Sequence, residues 1–287
     1  MLRGYLELLR PANVVTALAD VLAGYAVAGL GNGRGLMWLL VSTACLYGGG
    51  VVLNDFFDRR LDAVERPERP IPSGRVSATR AAVLGAGLLA TGVAAASVAN
   101  GAAAALALLI ATLVLLYDVW GKHQVVIGPV NMGLCRGGNL LLGIAAVPAA
   151  LSDHWPLALL SVVYIAAVTI VSRGEVSGGK AGTAALALVS LTAVLLALAV
   201  ISMRSGTRAP AALALTVLLG WRVWPPFWSV YQESSPAVIR RAVKAGVLSL
   251  VLVDAAISAA YAGPLYCLAV LATAVVAGGL ARLFSVT

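Results

Sequence analysis

Long apolar runs constrain the fold of this chain more than any other feature of its sequence. Of its 287 residues, 61% are hydrophobic and only 11% are charged. A soluble domain of this length needs a far more charged surface. One helical crossing of a membrane takes about 20 apolar residues, and runs of about that length recur throughout the chain. The sequence therefore predicts an all-α, polytopic membrane protein.

The apolar runs also predict how many helices cross the membrane. Ten segments qualify: 12–30, 36–57, 79–99, 102–119, 125–150, 156–171, 182–202, 209–230, 242–262 and 265–283. Only Gly263 and Pro264 separate the last two segments, so we expect a bundle of about nine, possibly ten, transmembrane helices. No long linker divides the segments, and we expect a single domain over residues 1–287.

Basic residues distinguish the two sides of the predicted bundle. The net charge is +8, but the basic residues are not gathered on one face, which argues against nucleic-acid binding. One set of alternate connectors contains only Arg34, Arg204 and Arg208. The other set is much richer in basic residues: 3–10, 59–80, 122, 173–180 and 240–244. The positive-inside rule then places the richer set in the cytoplasm and the chain in the cytoplasmic (inner) membrane.

One of the basic connectors begins with an acidic stripe. Asn54, Asp58 and Asp62 are spaced at i, i+4 and i+8, so their side chains share one face of a helix. These crowded oxygens need a hard cation, and Mg²⁺ binds few carboxylates while keeping positions for phosphate oxygens and water. The following turn, from Arg69 to Arg75, would end the helix and hold both arginines near the carboxylates. We therefore predict a metal–diphosphate site; the alternative is an ordinary solvated connector.

A second basic connector joins the fourth and fifth predicted spans. It contains Tyr117, Asp118, Lys122 and His123. Lys122 is a natural ligand for a diphosphate. Asp118 has three possible roles: a metal ligand, a general base or a cap of the next helix. His123 is more typical of a residue at the membrane surface.

Arg136 lies in the middle of the fifth predicted span, beside two glycines. A guanidinium inside a membrane needs partners. Asn131, Asn139 or a phosphate would serve, so we expect Arg136 to line an internal site. The alternative is an ion pair with an intramembrane acid, either Asp20 or Asp254.

These motifs together resemble the UbiA superfamily of intramembrane prenyltransferases. The family's first motif, Asn-x-x-x-Asp-x-x-x-Asp, matches the acidic stripe without gaps. Its Arg-Pro turn matches Arg69 to Arg75, and Arg10-Pro11-x-Asn13 resembles the entrance to its first helix. The likeness covers essentially the whole chain. It implies a helix bundle around a central cavity, which cytoplasmic loops cap and which opens sideways to lipid.

The resemblance also implies chemistry. Asp58 and Asp62, assisted by Asn54, would hold Mg²⁺ against the diphosphate of a polyprenyl donor, whose ionisation leaves an allylic carbocation. Asp118 and Glu175 complete the catalytic residues that we expect, and Glu175 also completes the metal ligands. The residues expected to bind substrate are Asn13, Arg69, Arg75, Tyr117, Lys122, Arg136, Arg173 and Lys180.

The family's second motif, Asp-x-x-Asp-x-x-Gly-Asp, is reduced in this chain. Only Glu175 remains of its three acids, because Ser172 and Gly179 replace the other two. Arg173 and Lys180 would then take over phosphate charge directly; the alternative is an ordinary glycine-rich turn. This pattern, together with Tyr-Asp-x-x-x-Lys-His, resembles the EboC-type branch of the superfamily.

The main functional prediction is a Mg²⁺-dependent prenyltransferase. It would move an isoprenyl group from its diphosphate to a small hydrophobic or amphiphilic acceptor within the lipid bilayer. A terpene cyclase would ionise the same donor and close it on itself. A transporter of an anionic lipid or metabolite would bind diphosphate without activating it.

Overall fold

A computed structural model describes residues 2–31, 33–176 and 178–283. This part of the chain is mainly helical and contains no strand. The helices are α1 (Leu2–Leu9), α2 (Pro11–Val27), α3 (Gly33–Glu65), α4 (Ala78–Ala99), α5 (Gly101–Val119), α6 (Ile127–Ile144), α7 (Leu151–His154), α8 (Ala158–Ser172), α9 (Ala181–Arg204), α10 (Ala209–Gln232), α11 (Pro236–Ala262) and α12 (Pro264–Leu280). The all-α prediction is confirmed.

Each of the ten predicted segments overlaps one long helix. Among the described residues, six helical stretches are long and apolar enough to cross a membrane: 33–65, 78–99, 101–119, 148–172, 181–204 and 236–262. The apolar helices α2 and α12 are shorter. The fifth predicted segment was drawn too long, since α6 ends at Ile144 and the chain then turns towards α8. A multi-pass membrane protein is therefore confirmed, while the number of nine or ten spans stays a prediction.

Helix α3 is long enough to carry its polar end beyond the hydrocarbon layer. It has 33 residues, which corresponds to about 50 Å at 1.5 Å per residue, against a hydrocarbon thickness of about 30 Å. It ends at Glu65, earlier than the turn from Arg69 to Arg75 that was expected to end it. The physical reason is Pro67, which disfavours helical geometry at the residue before it.

Helices α2 and α6 pack backbone to backbone at the centre of the bundle. A Cβ atom added at Gly24 would lie 2.1 Å from the carbonyl oxygen of Leu140, and one at Gly143 would lie 2.2 Å from that of Val21. Only glycine permits such an approach, as is common between membrane helices. The contact brings the polar residues of α2 beside those of α6.

Three connectors form a cap at one end of the bundle, called here the motif end: residues 66–77, 120–126 and 173–180, the last described at 173–176 and 178–180. The guanidinium of Arg173 donates to the backbone oxygens of Lys122 and Gln124, each at 3.1 Å. The guanidinium of Arg240, in the first turns of α11, donates to the backbone oxygen of Glu175 at 2.9 Å. The second and third connectors are therefore bound to each other, and the third is also bound to α11.

Candidate active site

The acidic stripe lies on the motif end of α3, still within the helix. Asp62 is buried, and Asn54 and Asp58 are partly buried. Asp55, which lies off the stripe, is buried as well. Carboxylates removed from water are costly unless cations or hydrogen-bond donors surround them. The partners of these four side chains therefore define the site.

Two arginines neutralise Asp55 and Asp62. Arg69 Nη1 lies 2.8 Å from Asp62 Oδ2 and 3.3 Å from Asp55 Oδ1. Arg10 Nη2 lies 2.6 Å from the same oxygen of Asp55. Arg10 stands between α1 and α2 with φ of +46°, directly before Pro11. The expected position of Arg69 is confirmed, whereas the pairing of Arg10 with Asp55 was missed.

The second connector supplies the partners of the other two stripe residues. Lys122 Nζ lies 2.6 Å from Asp58 Oδ1. Asn54 Nδ2 donates to Asp118 Oδ1 at 2.9 Å. Asp118 is buried in the last turn of α5, and its second oxygen has no hydrogen-bond partner among the described residues. The interpretation of Asp118 as a cap of the next helix is therefore wrong, because its side chain faces Asn54.

Arg75 does not take the position expected for it. Its guanidinium pairs with Glu7 on α1 at 2.5 Å and donates to the backbone oxygen of Glu68 at 2.7 Å. The turn directs Arg69 inward and Arg75 towards α1. The expectation that both arginines lie near the carboxylates is thus wrong for Arg75.

The third connector is also arranged differently from the expectation of a second metal site. The charged neighbours of the Glu175 carboxyl group are Arg66 and Arg240. Burial raises the pKa of Glu175, and these two cations partly counteract the rise. Arg173 and Lys180 line a separate cavity of about 260 Å³ beside the glycines of this connector.

A cavity of about 250 Å³ opens between α2, α3, α5 and α6. Its wall on α3 runs from Asn54 to Leu46, about 12 Å along the helix axis. Asn13, Tyr117 and Asp118 join Asn54 in the lining near the motif end, while the middle is apolar. The resemblance led us to expect a cavity within the bundle, and the acidic stripe continues from this one at Asn54 towards the motif end.

Arg136 lies at the opposite end of this cavity, called here the inner end. Its Nε is 3.2 Å from Asp20 Oδ2, and its Nη2 donates to Thr16. Asn139 donates to Asp20 at 3.5 Å and accepts from Thr43 at 2.9 Å. Arg136 therefore satisfies both interpretations of its role, because it lines the cavity and also pairs with an intramembrane acid. Of the two asparagines suggested as partners, Asn139 shares Asp20 with Arg136.

The chemistry of the donor groups at the motif end fits Mg²⁺. Within the described chain, no three acidic, histidine or cysteine side chains converge closely enough to enclose a metal alone. Asp58 and Asp62 instead face Lys122 and Arg69. Mg²⁺ needs few protein ligands, because one or two carboxylates suffice when phosphate oxygens and waters complete its shell. Asp58 and Asp62 could hold such an ion, with the amide oxygen of Asn54 as a neutral ligand.

Comparison with known proteins decides the family. The model of the UbiA prenyltransferase family matches residues 14–245, which is most of the chain. The chain belongs to the UbiA prenyltransferase family. The resemblance given by the acidic stripe and the Arg-Pro turn is thereby confirmed, and the EboC-type branch stays a prediction.

Two curated members of the UbiA prenyltransferase family illustrate the sequence likeness. The chain is 38% identical over 144 residues to a digeranylgeranylglyceryl phosphate synthase of Methanopyrus kandleri, covering 50% of this chain and 53% of that protein. It is 37% identical over 150 residues to the enzyme of the same name from Methanothrix thermoacetophila, covering 51% and 56%. The chain thus spans about half the length of these curated relatives.

Solved structures of UbiA homologues share the fold. The homologue from Archaeoglobus fulgidus bound to DMAPP and Mg²⁺ aligns with a TM-score of 0.64 at 18% identity, covering 94% of this chain and 99% of that one. The homologue from Aeropyrum pernix aligns with a TM-score of 0.66 at 17% identity, covering 85% and 96%. At these identities the likeness establishes the arrangement of the helices alone.

Proposed function

We propose that this protein is a Mg²⁺-dependent intramembrane prenyltransferase, which moves an isoprenyl group from a polyprenyl diphosphate to a small acceptor. One observation carries the proposal: a cluster of carboxylates and cations stands at the mouth of a cavity with an apolar middle. A polyprenyl diphosphate has the same division into a charged head and an apolar tail.

The metal would be held by Asp58 and Asp62, with Asn54 assisting. Asn54 already donates its amide nitrogen to Asp118, which leaves its oxygen available to a cation. When bound, Mg²⁺ supplies a Lewis acid that neutralises the leaving diphosphate. Relatives support this assignment, since one UbiA homologue is described as bound to DMAPP and Mg²⁺.

The cations of the motif end would bind the diphosphate. Arg69 and Lys122 each hold a carboxylate of the stripe through a flexible side chain. A metal on that stripe would take over the carboxylates, and both cations could then turn to phosphate oxygens. Arg69 offers paired N–H donors and Lys122 a point charge. Charge stabilisation of this kind favours breakage of the allylic C–O bond.

The cavity would control what reacts with the allylic carbocation. Its middle is lined by Gly50, Val114 and Met132, which keep water away from the reacting carbon. An acceptor oxygen placed there attacks the carbocation, and its proton leaves to a nearby base. Asp118, whose second oxygen has no hydrogen-bond partner in the described part of the chain, is the base that we propose.

The membrane and its sidedness belong to the same proposal. The chain would lie in the cytoplasmic (inner) membrane, with the motif end facing the cytoplasm, because the basic connectors gather at that end. The donor would enter from the bilayer or the cytoplasm with its head at the cap.

The test is a turnover assay on purified protein in lipid nanodiscs. Labelled geranylgeranyl or farnesyl diphosphate is supplied with Mg²⁺ and candidate acceptors, and both diphosphate release and product mass are measured. Asp58→Asn and Asp62→Asn should each lower turnover by at least about a hundredfold, the scale of losing an electrostatic group in the transition state. Asp153→Asn is the matched control, because Asp153 lies in α7 at the opposite end of the bundle.

The assay also separates the alternatives. Unchanged turnover in both stripe variants would refute the proposal. A product with the mass of the donor less diphosphoric acid (the diphosphate together with one proton from the carbon chain), formed without acceptor, would instead indicate a cyclase. Binding and transport of the diphosphate without its cleavage would indicate a transporter.

A further inference from the structure

The inner end of the cavity contains polar groups for which the diphosphate site has no use. Arg136 and Asn139 line it, about two helical turns of α3 away from Asn54. Beneath them lie the buried acids Asp20 and Asp254, both completely closed to solvent. Buried polar groups at this depth need matched partners or a ligand.

Arg136 has more hydrogen-bond donors than the protein provides for. Its Nη2 donates to Thr16, and its guanidinium carbon lies 5.6 Å from the centre of the Tyr47 ring. Its Nε lies 3.2 Å from Asp20 Oδ2 but makes no hydrogen bond among the described residues. Its Nη1 is buried and has no partner among the described residues. A buried donor without an acceptor costs free energy. An oxygen atom of a ligand, reaching Nη1 after a small movement of side chains, would remove that cost.

The charges beneath Arg136 decide what kind of oxygen fits. Among the described residues, the charged neighbours of Asp20 and Asp254 are each other and Arg136. Two buried acids beside each other and one arginine do not both carry a charge, because like charges in a medium of low dielectric repel strongly. One negative charge then remains, and Arg136 balances it.

We propose that the inner end is the binding site for an uncharged oxygen of the acceptor, held by Arg136 Nη1. The acceptor class is an amphiphile with a hydroxyl, ether or carbonyl oxygen at this end. A phosphate or carboxylate would add an uncompensated charge to a group that is already neutral, inside the membrane. Calling this ligand the acceptor rests on the proposed prenyl transfer. Binding at the inner end can be tested without turnover.

The experiment compares two probes that differ only in charge. Binding of 1-O-hexylglycerol and of its 3-phosphate to the full chain in nanodiscs is measured by calorimetry, without Mg²⁺, against empty nanodiscs. The variant D20N/R136Q removes the ion pair while leaving the site neutral. A second variant, Arg136→Lys, keeps the charge and removes Nη1. Arg222→Gln is the control, because Arg222 is an intramembrane arginine exposed on α10.

Hexylglycerol should bind the wild type and Arg222→Gln equally. Its affinity should fall about ten- to a hundredfold in D20N/R136Q, the effect of losing one hydrogen bond from a charged donor, and should also fall in Arg136→Lys. Equal affinity in all four proteins would overturn the proposal. So would a phosphate probe that binds more tightly than the alcohol and loses that advantage in D20N/R136Q.

A separate measurement judges the proposed function. Mg²⁺-dependent binding of a farnesyl thiodiphosphate analogue should be the same in wild type and in D20N/R136Q, which also shows that the variant is folded. Absence of this binding in the wild type would count against the diphosphate site alone. The hexylglycerol result would still decide whether the inner end binds an uncharged oxygen.

Discussion

Arg69 should be essential for stability when no metal is bound. It is the cation that contacts both Asp55 and Asp62, and all three side chains are at most 14% exposed. Arg69→Met leaves Asp62 without this partner, whereas Asp55 keeps Arg10. Breaking a buried ion pair costs about 3–5 kcal/mol. Because one of the two carboxylates stays paired, we expect a loss of about 3 kcal/mol, or a melting temperature lower by about 6 °C.

The same turn provides the control for this experiment. Arg75 is 42% exposed and pairs with Glu7, which is 20% exposed. An exposed pair contributes about 0–1 kcal/mol, so Arg75→Met should lower the melting temperature only slightly. Thermal unfolding in nanodiscs is measured for both variants by intrinsic fluorescence. Equal shifts in the two variants would refute the argument from burial.

Magnesium should rescue the Arg69 variant. If Mg²⁺ and the guanidinium neutralise the same carboxylates, Mg²⁺ alone will stabilise Arg69→Met more than it stabilises the wild type. The gap in melting temperature should narrow as the Mg²⁺ concentration rises. A gap that stays constant would mean that Asp62 does not bind the metal.

Two further predictions concern packing and pH. Gly24→Ala should lower the free energy of unfolding by at least about 3 kcal/mol, because the new methyl group meets the backbone of α6. Gly87→Ala on α4, where a methyl group meets open space, should raise the free energy of unfolding by up to about 1 kcal/mol. Thermal unfolding of both variants checks this. Burial raises the pKa of Glu175 above its ordinary value of 4.5, despite Arg66 and Arg240. The folded state therefore binds this proton more tightly than the unfolded state does, and the free energy of unfolding falls as the pH rises past 4.5. Glu175→Gln should remove this loss, so the melting temperature of the variant should rise relative to that of the wild type between about pH 4 and pH 7. A difference in melting temperature that stays constant over that range would contradict the burial of Glu175.

Local patterns in the sequence were sufficient for the helices and for the acidic stripe. Apolar runs fix where helices form, and the spacing of Asn54, Asp58 and Asp62 fixes their common face, because both depend on residues within a few turns. The proximity of Arg69 also follows from a short turn. The same reasoning was wrong for Arg75, since spacing alone does not say which way each arginine of a turn points.

Contacts between distant residues could not be read from local patterns. Arg10 and Asp55 are 45 residues apart, and Asn54 and Asp118 are 64 apart. Such pairs depend on how the helices pack, which one sequence does not record. One signal was available for Asp55: an acid that directly continues an apolar span needs a cation.

The reduced second motif bears on how many metal ions the site binds. At the motif end, three carboxylates already face three cations: Asp55, Asp58 and Asp62 against Arg10, Arg69 and Lys122. Among the described residues, the charged neighbours of Glu175 are Arg66 and Arg240, and no acidic side chain is one of them. We therefore expect one Mg²⁺ per chain with a thiodiphosphate donor analogue, counted by Mn²⁺ substitution and electron paramagnetic resonance. Two ions per chain, with the second lost in Glu175→Gln, would show instead that the third connector still provides a metal site.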